Sequence, residues 1–286
     1  MGQVATVQSR RPHLVWRLSA VTALALLVWL GRGWMSDHLY DGLSPLGRHT
    51  VNAVVTCLLT VVLVLAARRY LDRRPWSGLR LTGPRAAWWP FTVGALSWLV
   101  PAAAGTALCL ALGWSGIDVR SSPGEAVGAV ALLLVLVLVF EAFPEELLFR
   151  GYLHRNLSAS VAPWLAVLGQ ALLFTLFGTT LWVVSSGWDV LVERSVIFFG
   201  MAVSIGCLRV ITGNVWACVG YHLAFQVVAQ FLLGGRYAEV DITGEGALTL
   251  ATFAAALTAA PAVAALLTRS SENWRTPEPD ESPSSV

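Results

Sequence analysis

Lysine is absent from this 286-residue chain; all nineteen basic residues are arginine. Charge of either sign is scarce, at 13% of residues, about half the share usual in a soluble globular protein. The four cysteines, Cys57, Cys109, Cys207 and Cys218, stand singly inside apolar runs. That placement argues against a disulfide framework and supplies no paired spacing for structural zinc. No basic stripe interleaved with aromatics lies outside the apolar runs, which argues against nucleic-acid binding. No internal repeat is visible either, and its lack counts against the inverted-repeat transporters. The missing lysine points to a GC-rich coding sequence, and so to a bacterial cell membrane.

What is present in quantity is apolar. Hydrophobic residues make up 56% of the chain, with thirteen tryptophans. The composition predicts an all-α, polytopic transmembrane bundle in the lipid bilayer. Eight spans are expected, at about 18–30, 50–67, 87–112, 126–149, 164–184, 194–211, 215–233 and 247–267. Ser9-Arg10-Arg11 precedes the first run, but no cleavage site follows Leu30, so that helix is read as retained. With the N-terminus inside, fourteen arginines fall on the cytoplasmic side. Five fall outside: Arg32, Arg48, Arg120, Arg194 and Arg236. The bias places both termini in the cytoplasm. The Pro-, Glu- and Ser-rich tail, 270–286, is expected to be disordered.

The fourth run ends in Glu141 and then Phe143-Pro144-Glu145-Glu146-Leu147-Leu148-Phe149-Arg150-Gly151. Acids at the edge of the hydrocarbon cost about 2.5–3.5 kcal/mol on insertion scales, so they usually have a task. Glu141 and Glu145 share one helical face, while Glu146 and Arg150 share a neighbouring one, which makes Glu146 the natural partner of Arg150. Three acids this close cannot all carry charge in a low dielectric, and one is suited to general-base work. In the seventh run His222 and Gln226 are four apart and face one way. Counting 1.5 Å per residue puts His222 about 10 Å and Glu145 about 8 Å from the cytoplasmic end, so the two are expected to meet. His154, four residues past Arg150, is expected outside the membrane.

Glu145-Glu146-x-x-x-Arg150, an apolar span, then Gly213-Asn214-x-Trp216-Ala217 leading to His222-x-x-x-Gln226 resembles the CPBP intramembrane proteases, also called the Abi or CAAX prenyl-endopeptidase family. The resemblance divides the chain into N-terminal helices with an Arg-rich loop (1–125), a CPBP-like core (126–233), and a final helix with the tail (234–286). It implies a hydrolase acting on a membrane-associated protein or peptide. Glu145 would activate water, Glu146 and Arg150 would support it, and His222 would polarise the scissile carbonyl or hold the water. Gln226 stands where the family usually has Asn. The family is usually labelled a metalloprotease, so a divalent metal such as zinc would take Glu145 and His222. The family's middle motif, Phe-x-x-x-His, reads Phe174-Thr175-Leu176-Phe177-Gly178 here. The missing imidazole opens a second reading, a non-catalytic member that binds a membrane partner, with Gly178 leaving an empty space in the cavity. A proton-coupled transporter using Glu141, Glu145 and His222 is a third reading, disfavoured by the lack of a repeat.

Overall fold

The computed structural model describes residues 11–270 and 272–280. Arg10 of the first arginine group and residues 281–286 of the tail lie outside the described residues. Eight described helices are long and apolar enough to cross a membrane. They are α1 (Leu14–Leu39), α2 (Pro45–Asp72), α3 (Pro84–Ala111), α4 (Pro123–Ser158), α5 (Pro163–Ser186), α6 (Leu191–Thr212), α7 (Val215–Leu232) and α8 (Glu245–Thr268). Proline opens α2, α3, α4 and α5, where its missing N–H would have had no partner anyway. At the head of α4, Ser122 and Glu125 close a reciprocal capping box.

Helix packing follows from small residues, as it must where lipid tails remove the hydrophobic drive to associate. α7 lies centrally, against α3, α4 and α6. Gly94 on α3 faces the Ala217 carbonyl and Gly220 on α7 faces that of Phe91, so a Cβ at either position would strike backbone. Gly105 does the same for α3 against Ala251 on α8. Large apolar side chains such as Val15, Trp16, Leu176, Val196 and Leu266 point outward, toward lipid. One small sheet joins two loops: β1 (Gly116–Val119) pairs antiparallel with β2 (Val240–Thr243), Asp118 opposite Asp241. Arg120 reaches both acids, at 3.4 and 2.6 Å.

α4 departs from α geometry where the acids cluster. Leu138–Ala142 and Leu147–Leu153 are π-helical, on either side of the α turn Phe143–Glu146. Pro144 offers no N–H and crowds the carbonyl four residues back, and a widened helix relieves both problems. Such π segments change the helical phase and so decide which carboxylate faces the bundle.

Residues 272–280, expected from composition to be disordered, lie against the face formed by the start of α1, the end of α2 and the end of α4. The Glu278 N–H donates to the Ser158 carbonyl at 2.8 Å, and Trp274 packs on the core. The reason is ionic: Glu278 and Asp280 meet arginines whose charge the bundle leaves in excess. A chain of alternating charge results. Arg17 pairs with Asp72, Asp72 with Arg68, and Arg68 with Asp280 at 2.8 Å. Asp280 then meets Arg155 at 3.5 Å, Arg155 meets Glu278 at 3.0 Å, and Glu278 meets Arg80.

Candidate active site

The approach of α7 to α4 is set at its first turn. Gly213 ends α6 with φ +63°, the left-handed conformation that favours glycine. The Asn214 side chain then caps α7, accepting from the Trp216 N–H at 2.9 Å. Its amide donates to Thr82 Oγ1 at 3.0 Å, and the Trp216 indole N–H donates to the Thr82 carbonyl at 2.8 Å. The Gly213-Asn214-x-Trp216 motif therefore pins the start of α7 to the chain ahead of α3. Two turns later His222 is fully buried against α4.

His222 Nδ1 lies 2.7 Å from Glu146 Oε1, and Arg150 Nη1 donates to that same oxygen at 2.9 Å. All three side chains are wholly buried. The carboxylate partner assigns the proton to Nδ1. The Arg150 guanidinium also lies 4.8 Å over the Phe174 ring. Gln170 and Arg150 both donate to the Ala202 carbonyl, at 2.8 and 3.4 Å. Glu146 Oε2 and His222 Nε2 are buried with no hydrogen-bond partner among the described residues.

Glu146, Arg150 and His222 thus come together, and Glu146 pairs with Arg150 as its spacing predicts. The π segments turn Glu146 toward α7, and His222 bonds it directly, a contact that the spacing did not predict. Glu145 is half-buried, makes no hydrogen bond among the described residues, and lies in electrostatic reach of His222, Glu141, Glu146 and Arg150. Gln226 is also half-buried and unbonded among the described residues. Sequence reasoning missed Gln230, whose amide donates to both Glu141 oxygens at 3.1 Å. The signal was there, since Gln230 extends the i+4 series of His222 and Gln226 on one face.

One further expectation changes. Gly178 does not leave an empty space: a Cβ there would meet the Phe198 ring at 2.9 and 3.0 Å. The imidazole of the usual motif is thus replaced by an aromatic ring from α6, not by a void. His154 is buried within the protein, at 1% exposure, where α4 continues to Ser158 beneath the tail. A catalytic zinc takes three protein ligands. Glu141 is held by Gln230, and Glu146 Oε1 by Arg150 and His222, which leaves His222 Nε2, Glu146 Oε2 and Glu145 as the free donors of that pair of helices. No described group of three or more His, Cys, Asp or Glu has metal-site geometry. The set holds a single imidazole beside carboxylates, and no step below runs through a metal.

Residues 127–228 match the family model described as type II CAAX prenyl endopeptidase Rce1-like. Over this stretch, about a third of its length, the chain is similar to the CPBP family. The match runs from α4 into α7 and contains every motif residue from Glu145 to Gln226. No curated protein matches the chain. In CPBP terms, the Glu-Glu-x-x-x-Arg motif lies on α4 and the His motif on α7.

Proposed function

We propose that the chain is an intramembrane endopeptidase in which Glu145 activates water against a peptide bond of a membrane-associated protein or peptide. The match of residues 127–228 to the family model supports CAAX-protease-type function in general. The observation that carries the finer reading is the buried His222–Glu146–Arg150 cluster. Arg150 holds the Glu146 charge, Glu146 fixes the His222 ring, and Nε2 is left free, with an unbonded Glu145 in electrostatic reach of His222.

In this mechanism His222 Nε2 and the Glu145 carboxylate accept the two hydrogens of one water. Its lone pair attacks the scissile carbonyl carbon while Glu145 takes a proton. The tetrahedral intermediate collapses by breaking the C–N bond, and Glu145 returns the proton to the departing amine. The products are a new carboxylate and a new amino terminus. Gln226, half-buried one turn along α7, is the group placed to orient the substrate backbone.

One observation favours the second reading, a non-catalytic member that binds a membrane partner. The Phe198 ring beside Gly178 offers no donor to the developing oxyanion. Loss of such a donor costs about 10²–10³ in rate. The two readings part in proteoliposomes given a fluorogenic membrane peptide. The protease reading expects slow turnover that Glu145→Gln lowers by about a thousandfold; equal rates in the two proteins would support binding alone.

A further inference from the structure

Beneath the tail, at the ends of α4 and α6, lies a cavity of about 480 Å³, separate from the Glu146–His222 cluster. Arg209, His154 and Arg80 line one side, and the tail residues Asn273, Thr276 and Glu278 line the other. Arg209 is 1% exposed, and its Nε and Nη2 have no partner among the described residues. His154 is equally buried, with neither ring nitrogen bonded among the described residues. A buried guanidinium without an acceptor is an uncompensated charge, which costs several kcal/mol. Orphans of this kind call for an absent ion or water.

The charge balance names the ion. The alternating chain described above sets Arg17, Arg68, Arg80 and Arg155 against Asp72, Asp280 and Glu278. Arg209 adds a fifth guanidinium to three carboxylates, and Arg74 also acts on Asp280, so positive charge exceeds negative by at least two. Glu272, on the cavity rim, is exposed to solvent. A phosphate monoester carries about −1.5 to −2 at neutral pH and presents three acceptor oxygens. Guanidiniums bind such groups by paired N–H···O bonds. Arg80 and Arg155 are already shared with Glu278, so Arg209 is the anchor left open.

We propose that this cavity binds a phosphate-class dianion on Arg209, with Arg80 and His154 beside it and residues 272–280 as its lid. The source is either the headgroup of an anionic lipid, since the cavity lies at helix ends, or a free phosphate. Glu278 lies in electrostatic reach of Arg209 and competes with the ligand. The site is independent of the peptidase proposal.

The test uses the purified full chain in two arms. In the first, thermal unfolding is followed against inorganic phosphate at fixed ionic strength. In the second, native mass spectrometry counts phosphatidic acid retained from nanodiscs of phosphatidylcholine with a tenth phosphatidic acid. Wild type is expected to bind one equivalent in at least one arm, and the responding arm identifies the source. Arg209→Gln is expected to weaken that binding about ten- to hundredfold, the value of a charge-assisted contact. Glu278→Gln is expected to tighten it. If Arg209→Gln fails to fold, Arg80→Gln on the half-exposed rim decides, with a smaller loss expected. Binding unchanged in the folded arginine variant, or no binding by wild type and Glu278→Gln in both arms, overturns the proposal.

Discussion

Arg150 and Arg209 are both fully buried guanidiniums near the same end of the bundle, yet they meet the interior in opposite ways. Arg150 finds Glu146 one turn back on its own helix, then a π-face and a carbonyl. Arg209 has no carboxylate in ion-pair contact among the described residues, and its nearest help is Glu278 on the tail. The first arrangement closes on itself and frees His222 Nε2 for chemistry. The second stays open, toward a cavity with a removable cover. A buried charge with a local partner is a scaffold; one without is a receptor.

The comparison is broken most severely by removing each partner in turn. Glu146→Gln strands Arg150 and costs about 3–5 kcal/mol of stability, because an unpaired buried charge remains. Arg209→Met should do the reverse in phosphate-free buffer, since it deletes a charge that has no partner, and is expected to stabilise by about 1–4 kcal/mol. Thermal unfolding of the two variants in one detergent checks both signs. If both substitutions destabilise alike, the two arginines are not different in kind.

Next in size is Gly178. With the Phe198 ring 2.9 Å from where a Cβ would stand, Gly178→His overpacks α5 against α6 and costs about 1–3 kcal/mol without raising activity. The pair Gly178→His with Phe198→Ala makes the room, and is the variant in which peptidase activity should rise. A rise in the single variant, measured on the same membrane peptide, would show that Phe198 yields easily and does not block the position.

The smallest effect concerns the lid. Burial works against the charge of Glu278, but Arg209, Arg155 and the hydrogen bond from Arg80 outweigh it and hold its carboxyl below its ordinary value. Asp280 is likewise opposed by burial and lowered by its bond to Arg68 and by Arg155 and Arg74. Both groups bind protons more weakly docked than free. Their contribution is therefore complete above the ordinary carboxylate range, near pH 4, and is lost as pH falls through the lowered values. Limited proteolysis at the tail should show constant protection from about pH 8 to 5 and exposure only in stronger acid. Exposure beginning near pH 6 would mean that another group holds the tail.

Much of the fold was legible because membrane helices announce themselves by length and apolarity: eight runs were expected, and eight described helices qualify. The Glu146–Arg150 pair was legible for a similar reason, being an i, i+4 contact on one helix. The Glu146–His222 hydrogen bond was not legible, because Pro144 sits among π turns and straight-helix counting cannot see a change of phase. The docked tail was hidden by distance. Composition scores Pro277-Glu278-Pro279-Asp280 as unfoldable, while its partners Arg68 and Arg155 lie far earlier in the chain. Gly178 read as a vacancy because sequence shows the lost side chain, not the neighbour that fills its place.

The central claim is that water, held by Glu145 and His222, is the nucleophile. It is tested by mass spectrometry of a membrane peptide incubated in ¹⁸O-labelled water with proteoliposomes of wild type, Glu145→Gln and His222→Ala. The account predicts two fragments from wild type, with one ¹⁸O in the new carboxylate, and about a thousandfold less product from either variant. Intact peptide with the folded wild-type protein, or labelled fragments formed equally by Glu145→Gln, would contradict it.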